Sequence, residues 1–258
     1  MNGLILRLAG PLQAWGEHST FAQRDTTAFP TRSGLTGLLA SAEGRPRDAE
    51  LGDYEHLELV VRIDRPGTHL TDFHTVGGGN LRTQTVRTAA GTRRPEGKST
   101  LVLHRHYLAD AVFTVGVQAR DAEGAACLAR ITTALARPAW APYLGRRSCV
   151  PDLPLLLHTD VEDVEDELRA RTPLSRLKPG TPEHPPLIDF LHERPPHDTD
   201  PDLSTYELLD IPDSFAPLDR RYRLRRLYRS RHPVTAPSYS PGRDRHLHDY
   251  AMAQRTAR

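Results

Sequence analysis

An α+β fold is what this sequence predicts: an antiparallel sheet of ferredoxin-like or RRM-like type with two covering helices, a long β-hairpin thumb and a proline-rich C-terminal extension. Three observations carry the expectation. Short apolar segments alternate at period two, two segments carry apolar residues at helical spacing, and together they run in the order β-α-β-hairpin-β-α. Periodicity alone leaves several other α+β topologies open.

Gly3 to Ala9 concentrates Leu4, Ile5, Leu6 and Leu8 and stops at the Gly10-Pro11 breaker, which reads as a buried first strand. Thr31 or Ser33 can cap a helix that carries Leu35, Leu38 and Leu39 on one face and fades near Gly44-Arg45-Pro46. Residues 56–64 place Leu57, Leu59, Val61 and Ile63 at period two, a second strand, and Arg65-Pro66-Gly67 turns the chain. Residues 71–76 and 100–108 read as the two arms of a long, mobile hairpin. The stretch between them has no apolar period and carries Gly77-Gly78-Gly79 and a basic tip. Residues 111–119 form another strand, and Leu128, Ile131, Thr132 and Leu135 mark a second helix over residues 124–135.

After Pro138 prolines punctuate the chain. Short strands are expected at residues 155–157 and around 222–228, a loop over 173–201, and little to bury from His232 onward. The expected organisation is an RRM-like domain over 1–145 with the thumb at 72–107, an irregular β-containing extension over 146–231, and a tail over 232–258 that orders in a complex.

The 258 residues are 38% hydrophobic and 26% charged, a balance suited to one core with insertions, while 22 prolines and a mean hydropathy of -0.54 predict irregular connections. Neither a signal segment nor an apolar run of membrane-spanning length is seen, which predicts a soluble, cytoplasmic protein. Cys127 and Cys149 are too few for a disulfide framework and lack metal spacing. No cofactor is expected. The His104/His106 and His246/His248 pairs lack the further local ligands that zinc needs, so no metal is expected either.

Net charge is only +1, so a uniformly basic surface is excluded and distribution matters more. Arg82, Arg87, Arg93, Arg94, Lys98 and Arg105 face Glu96 alone within residues 80–107, and seven arginines with no acid lie within 220–231. Acids concentrate in 160–167 and 198–219, so the chain reads as basic and acidic blocks with a polyanion on one face. Because 32 of the 34 basic residues are arginine, only this clustering is informative.

Five blocks then occur in order: residues 8–16 (LAGPLQAWG), 29–39 (FPTRSGLTGLL), 71–79 (TDFHTVGGG), 104–110 (HRHYLAD) and 142–151 (PYLGRRSCVP). Together they resemble the CasD family of type I-E CRISPR Cascade complexes, within the repeat-associated RNA-binding CRISPR proteins. The resemblance covers residues 3–155.

What it implies is a non-catalytic subunit that holds the 5′ handle of the guide RNA. The thumb reaches an adjacent backbone subunit, the large subunit docks nearby, and target DNA is met through the assembled complex, where base pairing reads sequence. Candidate RNA contacts are Trp15 and Gly16 at the first turn, and Arg32 and Ser33 at a helix start that can hold a phosphate. His74, Arg82, Arg87, Arg93, Arg94, Lys98, Arg105 and Tyr107 are the candidates on the thumb. By the same resemblance Gly145, Arg146, Arg147 and Ser148 stand where related folds carry a phosphate loop. Trp15 fits a core residue as well as a base-stacking one, and Arg32, Arg146 and Arg147 fit solvated arginines.

Two other classes compete. A metal-independent endoribonuclease processing precursor CRISPR RNA can draw on His74, His104, His106, Tyr107 and Lys98, and an adaptor can use its basic blocks against acidic subunits. In the type I-E branch a different subunit cuts, which favours binding.

Overall fold

Strand β1 (Gly3–Ala9) is buried on both faces: Leu4, Leu6 and Leu8 point into one core and Ile5 into another. A strand covered on both sides reads as a continuous apolar run, which is why its sequence signal is strong. The computed structural model describes residues 2–17, 23–88, 91–175, 185–196, 203–217, 219–239 and 245–256. It shows a mixed α+β fold with a large antiparallel sheet and four helices.

After β1 come β2 (Leu12–Gln13), β3 (Gln23–Arg24) and α1 (Arg32–Glu43). Thr31 caps α1 by accepting a hydrogen bond from the Gly34 amide at 3.3 Å, and Leu35, Leu38 and Leu39 enter the first core. Next are β4 (Leu57–Arg65), β5 (Thr68–Val76), β6 (Leu101–Ala109), β7 (Val112–Ala119) and α2 (Ala122–Ala136), whose cap Asp121 accepts from the Gly124 amide at 2.8 Å. The remainder is β8 (Leu156–Thr159), α3 (Val164–Ala170), β9 (Leu174–Ser175), β10 (Leu187–His192), β11 (Ser204–Ala216), β12 (Asp219–Pro233), β13 (Ser238–Tyr239) and α4 (Arg245–Thr256).

The main sheet runs β11-β12-β10-β4-β7-β1-β8, each pair antiparallel. Helices α1 and α2 cover the face that holds Leu4 and Phe113, with Leu128 of α2 in the same core, whereas α3 and α4 cover the face that holds Ile5 and Phe190, with Leu247 of α4 in theirs. A smaller sheet pairs β5 with β6 from Thr68↔Ala109 to Val76↔Leu101 and carries β2 and β3 on β6. Its strands β5 and β6 are the two arms expected of the hairpin. Its far end is knit to itself: Ser99 Oγ donates to Gly77 O at 2.8 Å, Thr85 Oγ1 to Arg94 O at 2.8 Å, and Arg87 bridges Arg93.

Two expectations need correction, and the acidic run at 160–167 takes part in a helix that the periodicity does not predict. The loop expected over 173–201 contains β10, which joins β4 to the C-terminal ribbon; with Phe190 in one core and Leu191 in the other, its burial has no period to read. The acidic run at 160–167 leads into α3, where Asp163 caps the amides of Glu165 and Asp166 and the acids of the first turn suit the positive end of the helix dipole. The stretch after His232 buries Val234, Ala236, Tyr239, Leu247 and Ala251, spaced too widely to form a pattern. Helices therefore cover both faces, and the two that were expected are α1 and α2.

Candidate nucleic-acid interface

Blocks far apart in sequence meet at the end of β1. Ala14 donates its amide to Leu144 O at 3.1 Å, and Gly145, at φ +85, lies so close that a Cβ there would sit 1.6 Å from Ala14 O. Glycine is required at this crossing both for its dihedral and for its missing side chain. Trp15 lies beneath α1, with its indole N–H donating to Gln13 Oε1 at 3.0 Å. A Cβ on Gly34 would stand 2.6 Å from the Trp15 ring, so this glycine makes room for it.

Around this crossing opens a groove of about 960 Å³. Its floor is one face of α1, from Ser33 to Ser41. One wall is the segment after α2, with Trp140, Tyr143 and Arg147; the other is the tip of the β11-β12 ribbon, with Phe215, Arg220 and Tyr222. Arg24, Arg45 and Arg47 stand along the rim. Arg45 is already bound to Asp53 and Glu43, and the one acid on the lining, Glu17, accepts from the Leu209 amide at 2.9 Å. Arg24, Arg47, Arg147 and Arg220 are exposed, and Trp140 is 52% exposed. Exposed cations beside accessible aromatic faces are what a single strand uses, its phosphates on the first and its bases on the second.

The expected contacts divide sharply. Gly16, Ser33, Gly145 and Arg147 line the groove. Trp15 is corrected to a core residue: its side chain is wholly buried and presents no face for stacking. Arg32 is corrected too. Its guanidinium donates to Tyr54 O at 2.8 Å and Leu57 O at 3.1 Å and pairs with Glu193, while its amide at the helix start donates to Asp210 Oδ2 at 2.7 Å. The start of α1 therefore already holds an anion, the Asp210 carboxylate from β11, which Arg225 also grips at 2.6 and 2.8 Å.

Arg146 is a brace. It donates to His106 O at 3.0 Å and Arg24 O at 2.8 Å and lies 4.6 Å over the ring of Tyr107, which it buries; neither residue offers itself to a ligand in this arrangement. Ser148 is exposed beside Arg147.

On the thumb, Arg87, Arg93 and Lys98 are exposed, with Arg87 donating to Gly91 O at 3.3 Å and Arg93 to Thr85 O at 2.7 Å. Arg94, Arg105 and His74 are half-buried, and His74 stands 3.7 Å from Asp72. The side chain of Arg82 lies outside the described residues.

Sequence reasoning missed the groove's aromatic walls and the arginines of its rim. For Trp140 a signal existed, a tryptophan held between Pro138 and Pro142; for Phe215 and Arg220 none did, because the ribbon tip reaches the groove only through the fold.

Residues 3–228 match the family described as "CRISPR-associated protein (Cas_Cas5)". The chain is 37% identical over 167 residues to the CRISPR system Cascade subunit CasD of Escherichia coli (strain K12), covering 60% of this chain and 70% of that protein. A solved structure described as a CRISPR RNA-guided surveillance complex contains a chain 44% identical to this one, with a TM-score of 0.83 over 97% of this chain and 99% of that one. A second, described as the crystal structure of a Cas protein, is 29% identical with a TM-score of 0.61 over 91% and 97%. Matched along most of its length in sequence and in fold, the chain belongs to the Cas5 family of CRISPR-associated proteins, in its CasD branch.

Proposed function

We propose that this chain is the subunit of a type I-E CRISPR surveillance complex that holds the 5′ handle of the guide RNA and caps one end of the assembly, without cutting RNA itself. The observation that carries the reading is the groove: four exposed arginines, the exposed ring of Trp140 and the half-buried rings of Tyr143, Phe215 and Tyr222 gathered around the junction of the family's sequence blocks. A short single strand is held there by phosphate neutralisation and stacking, each stacked base contributing about 1–3 kcal/mol.

The thumb supports the rest of the reading. Phe73, 63% exposed, and Val102, 46% exposed, share one face of its ribbon above a basic tip, a surface suited to an adjacent backbone subunit with RNA at its edge. The large subunit docks nearby, and target DNA is reached through the complex. The order β8-β1-β7-β4, with α1 and α2 on one face, supports a ferredoxin-like core that lies mostly within residues 1–145 and takes its last strand, β8, from the extension over 146–231, with 232–258 closing the fold.

Geometry disfavours the nuclease reading. His104 and His106 point to the opposite face of β6 from Tyr107, and Tyr107 is buried under Arg146, so these three do not converge on one phosphodiester. Two experiments decide. Photoreactive bases in the handle of an assembled complex should crosslink to residues 140–147 or 215–222; crosslinks confined to other subunits sink the handle role. Incubated in stoichiometric excess with repeat RNA, the purified chain should leave it intact, and specific cleavage within the repeat sinks the non-catalytic role.

A further inference from the structure

Away from the groove, on the face covered by α3 and α4, two buried histidines and a glutamate converge. His192 ends β10, His232 lies near the end of β12, and Glu165 sits in the first turn of α3. Their ligating atoms all lie within 4.8 Å of one another, and among the described residues this is the one group of three or more such side chains. We propose that Glu165, His192 and His232 bind a divalent transition-metal ion of the zinc class, clamping α3 to the two strands.

The donor set suits the ion. Two imidazoles and one carboxylate with an open fourth position form a known class of zinc site, and bonds of about 2.0–2.1 Å set ligand atoms roughly 3.3 Å apart. Glu165 Oε2 and His192 Nδ1 are already 3.5 Å apart. Bringing in His232 requires a movement of at most about 1.5 Å, within the reach of side-chain rotation.

The outer shell is built as well. Ser230 Oγ lies 2.9 Å from His192 Nε2 and 2.7 Å from His232 Nε2. A ring that ligates through Nδ1 carries its proton on Nε2, and the hydroxyl oxygen has the lone pairs to accept from both rings at once, which fixes that tautomer. Arg169 pairs with Glu165 Oε1, whereas Oε2 is the oxygen that faces His192. Phe190 stacks on His192 with centroids 6.1 Å apart and meets His232 edge-on at 5.5 Å, an apolar shell that holds both rings.

His192 and His232 are buried, while Glu165 is 32% exposed and marks the way in for the ion and for a water in the fourth position. The nearby Arg169 charge weakens the site relative to an all-anionic one, so an affinity of about 1 µM is expected rather than the far tighter binding of structural zinc fingers.

The test uses the full-length chain stripped with a chelator and titrated with cobalt, then with zinc in competition. One equivalent should bind, with the visible absorption of low-coordinate cobalt, and zinc should raise the melting temperature. Glu165→Gln, at a partly exposed position, should keep the fold and weaken binding by about 10–100-fold, as should His232→Ala if it folds. The double variant His246→Ala/His248→Ala should bind as the parent does. Absence of stoichiometric binding overturns the site, and so does binding that survives Glu165→Gln but is lost in the double variant.

Discussion

The chain has two arginine-rich segments, a sparse one on the thumb and a dense one in residues 220–231, and the fold treats them in opposite ways. In the β11-β12 ribbon the arginines are largely spent within the protein. Arg223 pairs with Asp213 at 2.6 Å and with Glu55, Arg225 with Asp210 and Glu193, Arg226 with Glu207 at 3.3 Å, and Arg229 and Arg231 share Asp189 at 2.6 and 2.8 Å. On the thumb, Arg87 and Arg93 donate to backbone carbonyls, which leave the positive charge uncompensated. A run of arginines is therefore not a basic patch until its partners are counted. In the sequence the acidic block at 198–219 simply precedes the basic one, but antiparallel pairing of β11 with β12 lays part of one against the other.

The largest effect that would sharpen this contrast is at Asp210. Asp210→Ala takes from buried Arg225 two of its hydrogen bonds, leaving it Glu193 alone, and strands the first amide of α1; chemical denaturation should show a loss of about 3–5 kcal/mol. A loss below about 1 kcal/mol breaks the claim that ribbon arginines are structural.

On the thumb the sign reverses. The triple variant Arg87→Ala/Arg93→Ala/Lys98→Ala should leave the melting temperature unchanged and weaken guide-RNA binding by the assembled complex roughly tenfold or more. The log-log salt slope should become shallower by about 0.7 for each phosphate that is no longer neutralised. An unchanged slope means the thumb charges face something other than RNA.

Between these lies Glu167, which accepts from Tyr250 at 2.7 Å and from Arg171 at 2.9 Å and stands 3.5 Å from His158. Burial alone would raise its pKa, but the hydrogen bonds from His158, Tyr250 and Arg171 outweigh it and hold the group at about 2. Its folded value lies below its unfolded one, so its stabilisation is fully present above about pH 4.5 and is lost as pH falls toward 2. It is worth roughly 1–3 kcal/mol. Tyr250→Phe should narrow that acid transition, as measured by unfolding at stepped pH. The smallest effect is at Arg226→Ala, an exposed pair, where a change of no more than about 1 kcal/mol is expected.

How much of this was legible follows from where each partner lies. Strands β1, β4 and β7 and helices α1 and α2 announce themselves because each carries its apolar period within its own residues. The brace on Arg32 is silent because Asp210 and Glu193 lie 178 and 161 residues away. Trp15 reads equally as core or as a stacking ring, since a run such as Gln13-Ala14-Trp15 says nothing of what lies above it; Gly34 supplies the space. The phosphate loop expected at 145–148 splits in two, Arg146 turning inward to Tyr107 and Arg147 outward to the groove, a difference of one position that only the backbone turn at Gly145 sets.

The position of β10 in the sheet has a consequence for how the chain is made. Strand β4 has β7 on one side and β10 on the other, and β10 emerges from the ribosome more than a hundred residues after β4. During that interval the backbone edge of residues 60–62 has no native neighbour, and Val60 and Arg62 lack part of their cover. Nascent chains ending after β8 should bind chaperones or self-associate through this open edge, and extension past residue 192 should relieve it.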